Sequence, residues 1–556
     1  MKRPLVFYSI SLSLGCLFAL LFLDNIAAAI LIAAFFLIIL FFTLEIKFFM
    51  VNVLFFLFGV FSFYLYFNIN VQSPVQVRIL EKKNYYFIGN FKGREIILKG
   101  KTEGLQEGQK IKAYGKFQKE FNIGSGVIGS YNLTEYKYYK KDFIYYSHEL
   151  KNNIYEKFRK IIGEDKAALV MALCYGETDY ISQEQMSEFQ KLGIIHAVSV
   201  SGFHMVIIYE VLEYMAGLKI AIIVSLFYVF FTGMAAATMR SFIMILIFKL
   251  SKVFFKEYDS ISSLSLSALI LMAFKPYYVV NLGFDLSFLA TLGILLYNKK
   301  IYRKLYKLPE KLASSISLTF SSQVFSLPYI AFTIQNFSYG FILGNLFLIP
   351  LFSIIIVLGN AALCSYHIEI LFKYICAIIN LVFTVIEGAS IIALKLCPEV
   401  VYLRYRDGLM IIAVFISFVM YKKGYKKFKY IPAACVILMV LQGYSLFTSI
   451  TFVSKNSGEA VVVKKGLDKV MICNYNYLDV NWISDIKVQQ SVNKIITNPH
   501  KNFVYNLNTS SYLKVNETLE NCGAITLYTG NRKFKFFTDK NSNSYVIIFN
   551  MLFKIK

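Results

Sequence analysis

The sequence predicts a polytopic α-helical membrane protein that carries two small extracellular domains rich in β-strands. Hydrophobic residues make up 57% of its 556 residues and charged residues only 17%, a balance outside that of soluble proteins. Apolar runs of roughly the 17–25 residues that a membrane-spanning helix needs recur along the chain. Two polar segments, 72–141 and 454–556, show the alternation and the turn residues of short strands.

The apolar runs predict about 11–13 membrane spans, because a few of them are short enough to be re-entrant or interfacial. The first run follows Lys2 and Arg3 but has no convincing cleavage site, so we expect a retained helix rather than a signal peptide. The runs lie near residues 5–23, 26–43, 48–68, 192–213, 217–233, 235–251, 261–275, 280–298, 313–333, 341–359, 372–396, 407–421 and 430–450.

Basic clusters predict the orientation of the helices, because cytoplasmic loops are enriched in lysine and arginine. The segments 298–311 and 421–429 carry such clusters and are placed inside the cell, as is the N-terminus. Residues 72–141 and 454–556 then lie outside. The predicted location is the cytoplasmic membrane, crossed many times.

The segment 72–141 predicts a barrel or sandwich of about five strands. From Arg78 to Asp142 it contains 14 Lys/Arg and 7 Asp/Glu, a net charge of +7 that the orientation rule does not explain on an external domain. Lysines with exposed aromatic side chains suit an anionic polymer whose bases can stack, and the alternative is a solvated lysine-rich surface. The candidate DNA-binding residues are Tyr85, Tyr86, Phe87, Lys92, Arg94, Lys112 and Lys116.

Two further segments complete the organisation outside the apolar runs. Residues 142–162 have helical periodicity with a basic face and predict an amphipathic helix on the membrane surface. The tail 454–556 is also basic, with 14 Lys/Arg and 7 Asp/Glu from Lys455 onwards.

The cysteines indicate neither a metal site nor a definite disulfide. The sequence leaves undecided whether Cys473 and Cys522 form a disulfide. No Cys/His cluster has the spacing of metal ligands, so no cofactor is expected.

Several polar residues lie within the apolar runs, where an ionised side chain costs roughly 2.5–3.5 kcal/mol at a helix centre. The stretch HAVSVSGFHM (196–205) suggests a helix that is broken or closely packed at Gly202. Its polar groups could line an aqueous wall, or could form a polar contact between helices. The candidate residues are His196, Ser199, Ser201, Gly202, His204, Arg240, Asp285 and Gln323.

Four motifs in order over residues 165–360 resemble the ComEC/Rec2 family, the DNA-uptake channel of natural competence. They are LCYGETDYISQEQMSEFQKLGIIHAVSVSGFHMVII, FTGMAAATMRSFIMI, GFDLSFLATLGIL and SSQVFSLPYIAFTIQNFSYGFILGNLFLIPLFSIII. Asp285 stands where the family commonly has glutamine. The segment FKGREIILKGKTEGLQEGQKIKAYGKF is similar to the family's external OB-type domain.

The resemblance implies a channel that takes up single-stranded DNA across the cytoplasmic membrane during transformation, with the candidate polar residues along the translocation path. It implies an OB-like barrel at 72–141 after an N-terminal segment 1–71, an interfacial helix at 142–162, a channel domain at 163–453 and a C-terminal domain at 454–556. Its implied partners are the DNA strand, the lipid bilayer, an external DNA receptor, a separate nuclease, a cytoplasmic ATP-driven translocase and possible further copies of this chain.

The C-terminal tail departs from the family pattern. Many members carry a metallo-β-lactamase-like domain with an His-x-His-x-Asp-His motif, whereas His500 is the only histidine of this tail. We therefore expect neither a catalytic metal nor nuclease activity here. Two other classes remain as alternatives: an intramembrane hydrolase using Ser199 or Ser201 with His196 or His204, and a small-molecule transporter.

Overall fold

The computed structural model describes the membrane-embedded part nearly completely and the tail in separate strands. The chain divides into two compact units, Met1–Ser326 with Tyr339–Pro398 and Leu327–Ser338 with Glu399–Lys556. The described residues are 3–83, 85–397, 400–403, 405–455, 458–475, 486, 490, 492, 494–497, 503–508, 511–515, 525–529, 532–535, 543–548 and 551–554.

Three apolar helices open the first unit: α1 (Pro4–Asp24), α2 (Ile26–Thr43) and α3 (Ile46–Phe67). Helices α1 and α3 pack closely, because a Cβ atom on Gly15 would lie 2.1 Å from the carbonyl oxygen of Phe56. Small residues permit such close approach between helices in a membrane. These helices coincide with the first three predicted runs.

A closed five-stranded barrel follows α3, which confirms the predicted fold of this segment. Its strands pair in the order β1-β2-β3-β5-β4, and β4 closes the barrel on β1. Only the β3–β5 pairing is parallel among these pairs. The strands are β1 (Val75–Lys82), β2 (Phe87–Phe91), β3 (Arg94–Gly100), β4 (Lys110–Gln118) and β5 (Val127–Tyr138).

Helix α4 (Phe143–Ile162) leaves the barrel and coincides with the predicted amphipathic helix. Asp142 caps its N-terminus by accepting a hydrogen bond from the Tyr145 amide, and it also pairs with Arg78 of β1 at 2.5 Å. The hydrogen bond from Arg78 lowers the pKa of the Asp142 carboxyl to about 2. Asp142 thereby connects strand β1 of the barrel to helix α4.

The remaining helices of this part begin with short elements and continue with long apolar ones. A π-helical turn (Met171–Tyr175) follows α5 directly. The helices are α5 (Glu164–Val170), α6 (Gln183–Lys191), α7 (Ile195–Val198), α8 (Gly202–Phe231), α9 (Ala236–Val253), α10 (Ser260–Phe274), α11 (Leu282–Lys304), α12 (Glu310–Thr333), α13 (Phe341–Cys364) and α14 (Glu369–Leu396).

Helix α8 folds back on itself at Gly217. A straight helix of its 30 residues would be about 45 Å long. Yet a Cβ atom on Gly176 would lie 3.0 Å from the Thr232 carbonyl oxygen and 3.6 Å from Val200, so both ends of α8 lie beside one glycine. Gly217 adopts a φ of 77°, which only glycine reaches easily. The part of the predicted run 192–213 from Gly202 onwards and the predicted run 217–233 are therefore the two halves of a helical hairpin.

Six of the described helices are long and apolar enough to cross a membrane by length and composition: α1, α2, α3, α8, α13 and α14, although α8 reaches this length only when its two halves are added together. The predicted run at 430–450 does not form a full-length helix. Helix α16 stops after 13 residues, about 20 Å, and is therefore shorter than a hydrocarbon core. A strand begins at Ser445 because the sequence there alternates and pairs with two neighbouring strands.

The second unit contains α15 (Tyr405–Lys422), α16 (Ile431–Gly443) and two β-sheets. The strand order is β11-β10-β9-β8-β16-β17 in one sheet and β12-β13-β14-β15 in the other, while β6 (Asn336–Phe337) pairs with β7 (Val401–Tyr402). The strands are β8 (Ser445–Lys455), β9 (Gly458–Gly466), β10 (Asp468–Tyr475), β11 (Lys494–Thr497), β12 (Val504–Asn508), β13 (Ser511–Val515), β14 (Ile525–Thr529), β15 (Arg532–Lys535), β16 (Asn543–Ile548) and β17 (Met551–Lys554).

Candidate functional site

The backbone between α6 and α8 is irregular, so the stretch 196–205 is not one continuous helix. The single turn α7 carries His196, Ser199 ends it in an extended conformation, and α8 starts anew at Gly202. The segment also packs tightly on α13, since a Cβ atom on Gly344 would lie 2.4 Å from the Leu192 carbonyl oxygen. Protein therefore covers the start of this irregular segment, the arrangement by which non-helical backbone is tolerated at membrane depth.

Gly202 lies where the start of α8 meets α9. A Cβ atom on Gly202 would lie 2.2 Å from Ser241 Oγ and 2.5 Å from Arg240 Nη2. A side chain at this position would displace the hydroxyl or the guanidinium group. Position 202 requires glycine because neighbouring side chains leave no room for a Cβ atom. Position 217 requires glycine because its backbone has a positive φ.

His204 forms a helix cap together with Ser201. The His204 Nδ1 atom accepts a hydrogen bond from the Ser201 amide at 3.1 Å and lies 2.9 Å from Ser201 Oγ. The His204 side chain is 1% exposed, and its Nε2 atom has no hydrogen-bond partner among the described residues. One edge of the ring therefore fixes the helix start, and the other edge retains an unused hydrogen-bonding atom.

Arg240 is buried and joins three helices. It is 8% exposed, donates to the Ser287 carbonyl oxygen of α11 at 3.0 Å and to Ser241 Oγ at 3.1 Å, and lies against the Phe288 ring with 5.8 Å to the centroid. Its Nε atom has no hydrogen-bond partner among the described residues. With Gly202 on its other side, the guanidinium group lies between α8, α9 and α11.

The other predicted path residues lie around this group or apart from it. Asp285 is half-buried in the first turn of α11, two residues before Ser287. Gln323 is half-buried in α12 and accepts a hydrogen bond from Ser326 of the same helix at 3.4 Å. His196 and Ser199 are exposed. The structure thus gathers Ser201, Gly202, His204 and Arg240 and adds Ser241 and Ser287, which contact Arg240; we call these six residues the polar cluster.

Sequence reasoning missed two members of the polar cluster, Ser241 and Ser287. Both follow closely on a residue that was singled out, in MRSF and FDLSF. A serine in an apolar helix usually bonds to its own backbone and carries little signal. Ser241 and Ser287 become part of the cluster because they accept hydrogen bonds from Arg240. The bond to Ser287 depends on the packing of α9 against α11, which the sequence alone does not show.

The barrel surface corrects the predicted DNA-binding set. Tyr85 is 93% exposed in the β1–β2 loop, but Phe87 is buried in the barrel core, because it alternates with Ile88 and points inward. The expectation that Phe87 is available for stacking is therefore wrong. Arg94 donates to the carbonyl oxygens of Tyr66 and Leu65 at the end of α3, so its guanidinium group is engaged within the protein.

The barrel also rests on the membrane helices at its other loops. Tyr66 of α3 donates to the Gly126 carbonyl oxygen at 3.0 Å, and Asn281 donates to that of Gly124 at 3.3 Å. Tyr277 donates to Glu95 of β3 at 3.5 Å. Burial at this contact raises the pKa of the Glu95 carboxyl, against an opposing effect of Lys275.

Metal ligands were not expected from the sequence. No group of three or more His, Cys, Asp or Glu side chains that could hold a metal occurs in the described ranges. Cys473 is buried in β10. His500 and Cys522 lie outside the described residues, so the predictions that concern them stay predictions.

Known proteins resemble the part of the chain that contains the polar cluster. ComE operon protein 3 of Bacillus subtilis (strain 168) is 26% identical over 231 residues, 40% of this chain and 29% of that protein. An uncharacterized protein of Mycoplasma genitalium is 33% identical over 168 residues (29% of this chain, 42% of that protein), and a protein of Aquifex aeolicus is 28% identical over 154 residues (26% and 37%).

The alignments therefore cover less than half the length of each of these relatives. No solved structure matches the chain. Residues 173–424 match the family described as Competence protein, a range that includes the whole polar cluster and helices α6 to α15. This match, together with the likeness to ComE operon protein 3, supports the assignment of the chain to the ComEC/Rec2 family.

Proposed function

We propose that this chain takes up single-stranded DNA across the cytoplasmic membrane during transformation, and that the polar cluster forms part of the path. The observation that carries this proposal is a buried arginine between three apolar helices, next to a helix start and a histidine with an unused ring nitrogen. Charged groups at membrane depth are costly and mark substrate or ion pathways. The match of residues 173–424 to the Competence family supports DNA as the substrate.

The chemistry of the polar cluster suits a phosphodiester in transit. Arginine matches the geometry of a phosphate, and neutral histidine and serine donors hold it weakly. Conduction requires a site that binds well enough to admit its substrate and weakly enough to release it. A cluster with one cation and several neutral groups meets both conditions.

The orientation and the partners belong to the same proposal. The barrel and the tail would face outward, the barrel capturing DNA through its net charge of +7. Cleavage of the duplex would be left to a separate nuclease, delivery to an external receptor, and pulling to a cytoplasmic ATP-driven translocase.

One contact favours the alternative of an intramembrane hydrolase. Ser201 Oγ and His204 Nδ1 are 2.9 Å apart, within the range for a nucleophile and its base. The same Nδ1 atom, however, accepts the Ser201 amide hydrogen, and its single lone pair cannot also take the hydroxyl proton. Labelling of Ser201 by a fluorophosphonate probe, lost in Ser201→Ala, would favour the hydrolase over the channel.

The central test measures DNA entry with variants of Arg240. We expect Arg240→Gln to abolish entry of labelled DNA into the cytoplasm while DNA bound outside the cell stays at the wild-type level. Arg303→Gln, in the last turn of α11, is the matched control and should transport normally. The amount of protein in the membrane must be equal in all three strains. Normal entry with Arg240→Gln at equal abundance would contradict the proposed path.

A separate test concerns the tail, which we propose has no nuclease activity. A hydrolytic metal site needs several converging His or carboxylate ligands and an open position for water. We expect the purified full-length chain to hold less than stoichiometric zinc or manganese and to leave labelled duplex and single-stranded DNA intact. Cleavage that disappears in His500→Ala would contradict this proposal.

A further inference from the structure

The outer face of β4 presents a lysine at almost every second residue. Lys110, Lys112 and Lys116 alternate with Ile111 and Ala113, which are buried in the barrel. Side chains two residues apart on a strand are separated by about 6.8 Å, so the lysines extend over about 20 Å. The separation of about 6.8 Å between side chains two residues apart is close to the distance between successive phosphates along a nucleic acid strand.

The register of the barrel widens this row into a patch. Lys112 lies between Gln76 of β1 and Lys137 of β5 in the strand pairing. The Lys110 carbonyl oxygen accepts a hydrogen bond from the Tyr139 amide, so that residue lies beside the row as well. We call Lys110, Lys112, Lys116 and Lys137 the lysine face.

Aromatic rings lie among these cations. The Lys112 Nζ atom is 5.8 Å from the ring centroid of Tyr114, and the Lys110 Nζ atom is 5.5 Å from that of Tyr139. Both rings are half-buried. Alternating cations and aromatic rings are the pattern by which proteins hold single strands without sequence preference.

The opposite side of the barrel has a different character. In the β2–β3 pairing, Ile88 faces Ile97 and Asn90 faces Glu95. Lys99 is the lysine of these two strands, and Arg94 is turned toward the carbonyl oxygens at the end of α3. The outer face of β2 and β3 is aliphatic and nearly neutral. Its end at Arg94 contacts the membrane helix α3.

We infer that single-stranded nucleic acid binds along the lysine face of β4 and β5, and that the β2–β3 side of the barrel does not bind it. The inference rests on the proposed DNA function and assigns capture to one surface of the barrel. The strand would run along β4, with its phosphates on Lys110, Lys112, Lys116 and Lys137 and its bases against Tyr114 and Tyr139.

The test compares two triple variants of the full-length chain in detergent, which lose the same charge. One carries Lys110→Gln, Lys112→Gln and Lys137→Gln on the lysine face. The other carries Lys82→Gln, Lys99→Gln and Lys119→Gln, exposed lysines elsewhere on the barrel. Affinity for fluorescent oligo-dT is measured over a range of salt concentrations, after equal thermal stability has been established.

Each phosphate contact contributes about 0.7 to the slope of log K against log salt for single strands. We expect the lysine-face variant to reduce this slope by about 2 and the control variant to leave it near the wild-type value. Tyr114→Leu should weaken binding roughly tenfold, because it removes a stacking surface. Equal losses in both triple variants, or a larger loss in the control, would overturn the inference while leaving DNA binding intact.

Two further outcomes separate the inference from the proposed function. If the wild-type chain does not bind oligo-dT at low salt, the proposed capture of DNA fails and the inference fails with it. If poly(glycerol phosphate) competes as strongly as oligo-dT, or Tyr114→Leu has no effect, the lysine face recognises a polyanion without bases, and its assignment to nucleic acid is overturned.

Discussion

Gly202 and Gly217 illustrate two ways in which single glycines shape the membrane domain. At Gly202 the neighbouring hydroxyl and guanidinium groups leave no room for a Cβ atom. At Gly217 no atom lies within 4 Å of a Cβ position, but the left-handed φ disfavours any other residue. Only Gly202 belongs to the polar cluster, so substitutions of the two glycines should differ in effect.

We predict that Gly202→Ala impairs DNA entry without removing the protein from the membrane. The added methyl group would lie 2.2 Å from Ser241 Oγ, so Ser241 or Arg240 must move by about an ångström, enough to disturb a site of matched geometry. Uptake of labelled DNA is the measurement. Gly388→Ala in α14, where nothing lies within 4 Å, is the matched control and should have no effect. Wild-type uptake by Gly202→Ala would show that this contact is not needed.

Helix α8 shows how far an element can be predicted from sequence. The loss of apolar character around Glu213 and Lys219 separated two runs, and the structure places the reversal between them. Helix α16 shows the opposite case, because an apolar run continues into the alternating residues of β8 and hydropathy alone does not separate a helix from a strand. Phe87 was misplaced because its exposure depends on which strand face turns inward.

We predict that Glu213 and Lys249 are energetically coupled, since the first half of α8 runs alongside α9 and brings their side chains to 2.5 Å. Thermal stability of Glu213→Gln, Lys249→Gln and the double variant in detergent should give a coupling of about 1 kcal/mol. The exposed pair Glu369 and Lys373 on α14, 3.9 Å apart, should give a coupling near zero. Additive losses at Glu213 and Lys249 would show that this contact between α8 and α9 contributes no stability.

The whole molecule was predicted more completely than its sites. Composition and run length indicated many helices, and alternation indicated both strand-rich domains, because these patterns are local in sequence. The polar cluster joins Gly202 to Ser241, 39 positions later, and Arg240 to Ser287, 47 positions later, and the lysine face depends on strand register. Neither arrangement can be derived from local patterns, which is why Ser241, Ser287, Lys110 and Lys137 were missed.

We predict that the barrel and the tail face the outside of the cell. In a Cys364→Ser background, which removes an exposed native thiol, Tyr85→Cys and Leu467→Cys should react with an impermeant maleimide on intact cells. Arg303→Cys should react only after the membrane is permeabilised, because basic loops stay inside. Labelling of Arg303→Cys in intact cells, or its absence at Tyr85→Cys, would reverse the proposed orientation.

The contacts of Arg94, Gly124 and Gly126 with α3 and Asn281 have a mechanical consequence. A domain connected only by its linkers would rotate when a bound strand is pulled, and this rotation would take up part of the movement. This barrel contacts the membrane helices at several loops, so under the proposed function a pull on a strand bound at the lysine face would be transmitted into α3 and the start of α11. The barrel would then act as a fixed anchor, and each step of the proposed cytoplasmic translocase would shorten the strand instead of tilting the domain.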